Sequence, residues 1–356
     1  MNQKRLYGID LIKTVAIIFV VSVHFFLNSG YYGTVMSGGT MIVSTWFRHF
    51  FFLCVPLFLI STGFLRYKKT VTKKYYMSLI TIAVSYLIAA IIVSVFKYRL
   101  TDLPFDGILY EILAILSFKS GYFWYMEMFF GLALLIPFVN LSYNNIKEKI
   151  HKKILILILL VITGIFSLKL NITTENKTYY LFSDFWVFLY PFTYYIIGAY
   201  INEYRPKIKK SIGAVSLFLL LCFETAYTYF RCKDGYFNWG ISQDNGGFFV
   251  ASGAIILFLM LYDIEIKNRC LCKIITDISK KTLDIYMISY LSDLAVYGYF
   301  KGIAPDYFSM VKFAPITVFL VFIISYIYAS VKSVIFSTII KIHSLKEKKD
   351  VVTTNV

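Results

Sequence analysis

Long apolar runs alternate with short polar segments along almost the whole chain. Ten of these runs are about as long as the 17–25 apolar residues that a helix needs to cross a bilayer. They cover residues 9–28, 49–65, 75–96, 122–140, 153–170, 183–201, 211–230, 248–262, 282–300 and 313–338. A further apolar piece, 107–118, is too short to cross and fits a re-entrant or interfacial helix. The pattern predicts an all-α integral membrane protein, a bundle of about ten transmembrane helices.

The composition agrees with this pattern and excludes an ordinary soluble domain. Hydrophobic residues make up 58% of the 356 residues, whereas charged residues make up only 16%. Soluble domains have about 25% charged residues. We assign residues 1–340 to a single transmembrane domain and 341–356 to a basic cytoplasmic tail. The five cysteines show no metal-ligand spacing, so no metal site is predicted.

Positive charge predicts the orientation of the helices. The net charge is +16, and most lysines and arginines fall in every second loop. These basic segments lie at residues 4–5, 66–74, 147–153, 205–210, 267–281 and 341–349. Because positively charged loops stay on the cytoplasmic side, both termini are predicted to be cytoplasmic. The charge then serves topology and contact with anionic lipid headgroups rather than nucleic-acid binding.

The first predicted span carries Asp10, Lys13 and His24 on one side of an otherwise apolar helix. Ionisable groups are costly to bury in a membrane and usually face a bundle interior or a water-filled path. The step from Lys13 to His24 turns about 20° more than three full turns and rises about 16 Å. Lys13 is therefore expected near one surface and His24 past the midplane, on the same stripe.

These residues also carry a resemblance to a known family. The membrane-bound acyltransferase-3 family opens with a basic residue, ten others and a histidine in the first helix. The first span is similar, with the pattern Arg5-x4-Asp10-x2-Lys13-x2-Ala16-x7-His24. Three further stretches resemble family motifs: the second-span run 55–65 ending Thr62-Gly63-Phe64-Leu65, Phe123-Trp124-Tyr125, and Ile197-Gly198-Ala199-Tyr200.

Two stretches depart from the family pattern. The family often has two arginines three apart where the third helix begins, but this chain has Lys73-Lys74-Tyr75-Tyr76-Met77-Ser78. The family also often has a histidine after an Ile-Tyr-x-x run in a late helix, but here Ile285-Tyr286-Met287-Ile288 is followed by Ser289. We expect Lys73 or Lys74 to take over a phosphate contact.

The resemblance implies transfer of an acyl group, usually acetyl, from cytoplasmic acyl-CoA to a hydroxyl-bearing acceptor on the outer side. We therefore expect an O-acetyltransferase of a capsular polysaccharide or exopolysaccharide in a bacterial cell membrane. Its partners would be acetyl-CoA, a polysaccharide or lipid-linked glycan and the lipid bilayer. Acetyl-CoA would be a donor substrate, and no permanently bound cofactor is expected.

The physics of the first span suits this chemistry. Lys13, with Lys73 and Lys74, would hold the anionic phosphates of coenzyme A at the inner mouth. The rise of about 16 Å to His24 matches an extended pantetheine arm. There the imidazole could act as a general base or form an acyl-histidine intermediate, and the sequence leaves both routes open.

Asp10, Lys13 and His49 also have simpler interpretations. Asp10 stands three residues from Lys13 and is expected to pair with it. Lys13 lies near a helix end, where a lysine often extends to the interface, which is compatible with donor binding. His49 either lines the opening through which the acceptor enters from the outer side or packs at the surface.

Trp124, Tyr125 and Glu127 open the fourth span. Glu127 would orient His24, bind acceptor hydroxyls or occupy a solvated rim, and the aromatic pair is typical of an interfacial belt. Carbohydrate offers C–H faces ringed by hydroxyls, which suit aromatic rings with amide and carboxylate neighbours. One outer loop has that character, with Gly235-Tyr236-Phe237-Asn238-Trp239-Gly240 followed by Gln243, Asp244 and Asn245.

Two other functions stay open. A transporter or flippase for a lipid-linked glycan would also use charges inside a bundle, although we find no inverted repeat in the sequence. A non-catalytic membrane scaffold would not explain the spacing of Lys13 and His24. The sequence also leaves open the acceptor sugar, the acyl length and whether the protein forms a homo-oligomer.

Overall fold

The structure is a computed structural model that describes residues 5–101, 105–116, 121–165, 171–174, 177–180, 185–238 and 245–353. Its helices are α1 (Tyr7–Asn28), α2 (Gly38–Phe52), α3 (Cys54–Arg66), α4 (Lys73–Thr101), α5 (Phe105–Leu116), α6 (Trp124–Asn145), α7 (Lys149–Gly164), α8 (Tyr190–Tyr204), α9 (Lys210–Cys232), α10 (Phe248–Leu261), α11 (Arg269–Ile303), α12 (Tyr307–Met310) and α13 (Ala314–Thr353). Two short antiparallel strands, β1 (Asn171–Thr174) and β2 (Lys177–Tyr180), form a hairpin that the apolar pattern did not predict.

The prediction of a helical membrane protein is confirmed. Each of the ten predicted runs overlaps a helix, and the short piece 107–118 overlaps α5. Ten crossings, the interfacial role of α5 and the cytoplasmic termini stay predictions, as does the division at residue 340. Six segments of the described chain are long and apolar enough to cross a bilayer: Tyr7–Gly33, Gly38–Arg66, Lys73–Lys97, Trp124–Asn145, Lys210–Cys232 and Tyr307–Ile335.

The second apolar run begins earlier than predicted. α2 starts at Gly38 instead of residue 49, and α3 follows after a break at Leu53. Pro56, in the first turn of α3, explains the break. It has no N–H to donate to the Phe52 carbonyl, and its ring would crowd that carbonyl in a continuous helix. The crossing segment is therefore built from two helices.

α3 and α8 meet at two glycines, Gly63 and Gly198. A Cβ atom on Gly63 would lie 1.9 Å from the carbonyl oxygen of Tyr195, and one on Gly198 would lie 2.1 Å from that of Ile60. No side chain fits at either position, because both distances lie far inside van der Waals contact. Membrane helices approach this closely where small residues line the interface. Two of the family-like motifs therefore contain the glycines that let α3 and α8 touch through their backbones.

α1 and α11 run side by side in the same direction. Lys13 of α1 reaches Ser279 of α11, and further along α1 His24 reaches Asp293. The order of these contacts is the same on both helices, so the two helices are parallel. The stripe predicted on α1 is thus turned towards α11 rather than towards lipid.

A second group of ionisable side chains is buried between α2 and α9. Nδ1 of His49 lies 3.2 Å from a carboxylate oxygen of Glu224, and its Nε2 lies 3.1 Å from the Thr228 hydroxyl. Arg48 is also fully buried, and its Nε donates to the Tyr32 hydroxyl over 3.2 Å. His49 is therefore an interior residue that lies beside a buried carboxyl group, and the alternative of surface packing is wrong.

Replacing Glu224 with alanine is expected to lower the free energy of unfolding by about 1–3 kcal/mol. The change leaves the buried His49 without its carboxyl neighbour, and leaving a buried polar group without a partner costs about that much. The measurement is the thermal unfolding midpoint of the purified protein in detergent. Glu127→Ala is the control, because Glu127 is exposed on α6. Equal midpoints for the two variants would contradict this account of the cluster.

Candidate active site

A cavity of about 650 Å³ lies beside α1 and contains both ends of the predicted stripe. Lys13 lines one end and His24 the other, so we call these the Lys13 end and the His24 end. The polar and indole-bearing residues of the lining are Lys13, His24, Tyr32, Ser61, Thr62, Arg66, Tyr122, Trp124, Tyr125, Asn245, Thr282 and Tyr286. The cavity is long enough to connect two groups that stand about 16 Å apart along α1.

His24 is held by a buried carboxylate. Its Nδ1 lies 3.3 Å from Oδ2 of Asp293, whose side chain is 2% exposed, while the His24 side chain is 13% exposed. A carboxylate at this nitrogen favours the tautomer that carries its proton on Nδ1. Nε2 is then the basic nitrogen available to a molecule in the cavity. This is the arrangement in which a histidine acts as a general base or a nucleophile.

Tyr122 and Ser289 complete the surroundings of His24. The Tyr122 hydroxyl lies 3.4 Å from Nδ1 of His24 and 2.5 Å from Oγ of Ser289. The Tyr286 hydroxyl in turn donates to the backbone carbonyl of Tyr122 over 2.9 Å. Ser289, where the family often has a histidine, is therefore part of the site. Its hydroxyl holds a tyrosine that contacts the imidazole.

Asp293 was not among the site residues predicted from the sequence. It stands in the predicted span 282–300, and an ionisable residue inside a span is itself a signal of function. Asp293 lies one helical turn after Ser289, so the two side chains share a face of α11. The sequence therefore contained a signal for Asp293 itself. It contained none for the pairing with His24, because α11 lies far from α1 along the chain.

The Lys13 end is also arranged differently from the prediction. Asp10 accepts hydrogen bonds from Arg5, over 2.6 and 2.9 Å, and from the Ser279 hydroxyl over 2.7 Å. Lys13 donates to the backbone carbonyl of Ser279 over 2.5 Å. Asp10 therefore pairs with Arg5, whose guanidinium binds both carboxylate oxygens, instead of with Lys13 as expected. Lys13 faces α11 and the cavity.

The other predicted site residues divide into two groups. Trp124 and Tyr125 line the cavity, whereas Glu127 is exposed and is not part of the lining. Lys73 and Lys74 are exposed at the start of α4 and are likewise not part of the lining. From the outer aromatic run, Asn245 lines the cavity, while residues 239–244 lie outside the described part of the chain.

Within the ranges that the structure describes, there is no group of three or more His, Cys, Asp or Glu side chains that would hold a metal ion.

The fold and the site define an integral membrane protein with a histidine in a cavity that reaches a cationic end. A family model described as an acyltransferase domain matches residues 6–331, which include every residue that lines the cavity and Asp293. The chain therefore belongs to the acyltransferase-3 family and is a membrane acyltransferase. The comparisons with curated proteins and with solved structures gave no match.

Proposed function

We propose that the protein is an O-acetyltransferase of the bacterial cell membrane. It moves an acetyl group from cytoplasmic acetyl-CoA to a hydroxyl of a capsular polysaccharide or exopolysaccharide. The observation that carries the proposal is that Lys13 and His24 line one cavity. A donor with an anionic head and a long arm fits a path with a cation at one end and a basic nitrogen at the other.

The donor enters at the Lys13 end, which the distribution of basic loops assigns to the cytoplasm. Phosphates of coenzyme A are attracted to cations there. The pantetheine arm then lies along α1, and its length brings the thioester to the level of His24. This arrangement lets a donor that never leaves the cytoplasm deliver its acyl group beyond the midplane.

At the His24 end, Nε2 takes the proton of the acceptor hydroxyl as the hydroxyl oxygen bonds to the thioester carbonyl carbon. The C–S bond breaks, and the protonated imidazole returns the proton to the departing thiolate. Asp293 stabilises the imidazolium that forms in between. In the other route, Nε2 first attacks the thioester carbonyl carbon, the C–S bond breaks and the thiolate leaves. The acceptor hydroxyl then attacks the acyl-imidazole, the C–N bond breaks, and the hydroxyl proton passes through Nε2 to the thiolate. Both routes need the same tautomer.

The acceptor is expected beside the aromatic side chains at the His24 end. Trp124 and Tyr125 offer ring faces, and Tyr32 and Asn245 offer a hydroxyl and an amide in the same lining. Aromatic faces with polar neighbours suit a sugar. This composition supports a carbohydrate acceptor over a purely apolar one.

Asp293→Asn is expected to lower the rate of acetyl transfer by about 10²-fold or more. Asparagine has a similar size, but it cannot stabilise an imidazolium, and its amide favours the wrong tautomer of His24. The measurement is the initial rate of transfer from labelled acetyl-CoA in membranes. The control is Asp284→Asn, on the same helix, where the carboxylate pairs with Lys332. Full activity of Asp293→Asn would contradict the role given to this carboxylate.

A deletion experiment tests the proposed function against the flippase alternative. Loss of an acetyltransferase is expected to leave the surface glycan present but without its acetyl esters, and the wild-type gene restores them. Loss of a flippase would remove the glycan from the surface. The measurement is the amount of surface polysaccharide and its ester content in the same cells. An unchanged ester content on every surface glycan would contradict the proposal.

A further inference from the structure

Arg66 stands at the end of α3 and lines the cavity together with Lys13. One of its terminal nitrogens, Nη1, is buried and has no hydrogen-bond partner in the part of the chain that the structure describes. Its guanidinium carbon lies 5.7 Å from the centre of the Phe129 ring, which covers one side of it. A buried donor without a partner is costly, so the position favours a ligand that accepts a hydrogen bond.

The backbone that carries Arg66 is held by side-chain amides of two other helices. Asn140 of α6 donates to the carbonyl oxygens of Arg66 and Lys69, over 2.8 Å in each case. Asn202 of α8 donates to the carbonyl oxygen of Phe64 over 2.6 Å. The carbonyls of Phe64 and Arg66 belong to the last turn of α3, where the intrahelical hydrogen bonds end. Arg66 is therefore presented to the cavity from a fixed position, as a binding residue needs to be.

The charges at this end also favour an anion. Lys13 is attracted by Asp10 and repelled by Arg5 and Arg66, and both Lys13 and Arg66 face the same cavity. Asp10 is already bound by Arg5 through both carboxylate oxygens, so positive charge is in excess here and an anion in the cavity would be attracted. Lys13 already gives one hydrogen bond to Ser279, whereas Nη1 of Arg66 is unused.

We propose that Arg66 binds a phosphate group of the acyl-CoA donor at the Lys13 end of the cavity. The family resemblance led us to expect Lys73 or Lys74 in this role. This inference rests on the proposed function. The planar guanidinium can make two parallel hydrogen bonds to a phosphate, which a lysine cannot. Lys73 and Lys74 are exposed outside the cavity lining and contribute at most to the attraction of the donor from solution.

Binding measurements without an acceptor test this assignment. The Kd of acetyl-CoA is measured by calorimetry for the full chain in nanodiscs of zwitterionic lipid. Arg66→Gln is expected to raise that Kd at least tenfold, and Arg66→Lys is expected to raise it less. Acetyl-pantetheine has no phosphate, so its Kd is expected to be the same for wild type and Arg66→Gln. Unchanged binding of acetyl-pantetheine would also show that the variant is folded. Lys73→Gln with Lys74→Gln is expected to change the acetyl-CoA Kd less than threefold.

Three results would overturn the assignment. One is an acetyl-CoA Kd that does not change in Arg66→Gln. Another is an equal loss of acetyl-CoA and acetyl-pantetheine binding, which would mean that Arg66 does not contact a phosphate. The third is a loss of bound anionic lipid in Arg66→Gln, measured by native mass spectrometry, while the Kd of acetyl-CoA stays unchanged. A wild-type protein that binds no acetyl-CoA at all would instead reject the proposed function.

Discussion

His24→Gln is expected to reduce acetyl transfer from acetyl-CoA by about 10²–10⁴-fold, the usual loss when a general base is removed. Glutamine keeps a polar side chain of similar length beside Asp293, but it has no basic nitrogen to take the acceptor's proton or to attack the thioester. The Kd of acetyl-CoA is expected to change little, because the phosphates bind about 16 Å away along α1. The measurements are the initial rate of transfer and the donor Kd of the same preparation.

The control for this substitution is His151→Gln. His151 is exposed on α7, so its replacement is expected to leave both the rate and the binding unchanged. The thermal unfolding midpoint shows whether the His24 variant is folded. A folded His24→Gln protein that transfers acetyl at the wild-type rate would remove His24 from the mechanism.

Gly63→Ala and Gly198→Ala are each expected to destabilise the protein by about 3 kcal/mol or more. The added methyl group would overlap a backbone carbonyl of the facing helix, and a backbone cannot move aside as a side chain does. α3 and α8 would have to separate, which would also shift Arg66 at the end of α3. The measurement is the yield of monodisperse protein in detergent and its thermal unfolding midpoint.

Gly131→Ala is the matched control, because a Cβ atom on Gly131 of α6 meets no atom within 4 Å. Alanine there is expected to be neutral or stabilising, since glycine is the weaker helix former. The close crossing of α3 and α8 would be contradicted by wild-type yield and midpoint in both Gly63→Ala and Gly198→Ala.

Some of the fold was predictable because membrane helices are long and apolar. The run 9–28 and the helix α1 (Tyr7–Asn28) agree within two residues. The start of α2 was not predictable in the same way, since residues 38–48 mix small, polar and apolar side chains. Pro56 lies inside the predicted run 49–65 and signals a kink or a break, but the hydrophobic pattern alone does not distinguish one kinked helix from two separate helices.

The candidate site was predictable on one helix only. Helical periodicity placed Lys13 and His24 on one stripe, and both line the cavity. Periodicity says which residues share a face, but it does not say which helix lies opposite. Asp293 and Arg66 were therefore missed, since each is brought to the cavity by helix packing.

The family-like motifs identified positions in the sequence but not the physical reason for each residue. The structure supplies several of those reasons. Gly63 and Gly198 allow a backbone contact between two helices. Phe123-Trp124-Tyr125 follows directly after Tyr122, which contacts the imidazole of His24. Lys73 and Lys74 stand where the family often has two arginines, and both are exposed outside the cavity lining.

In the proposed mechanism, an acyl group passes along the cavity from the Lys13 end to His24. The most direct test is to supply labelled acetyl-CoA, which does not cross membranes, to only one face of sealed vesicles that contain the protein and its glycan acceptor. Label supplied at the face that bears the Lys13 end is expected to appear as ester on glycan at the opposite face. The account would be contradicted by label that reaches the glycan only when acetyl-CoA and glycan are on the same side.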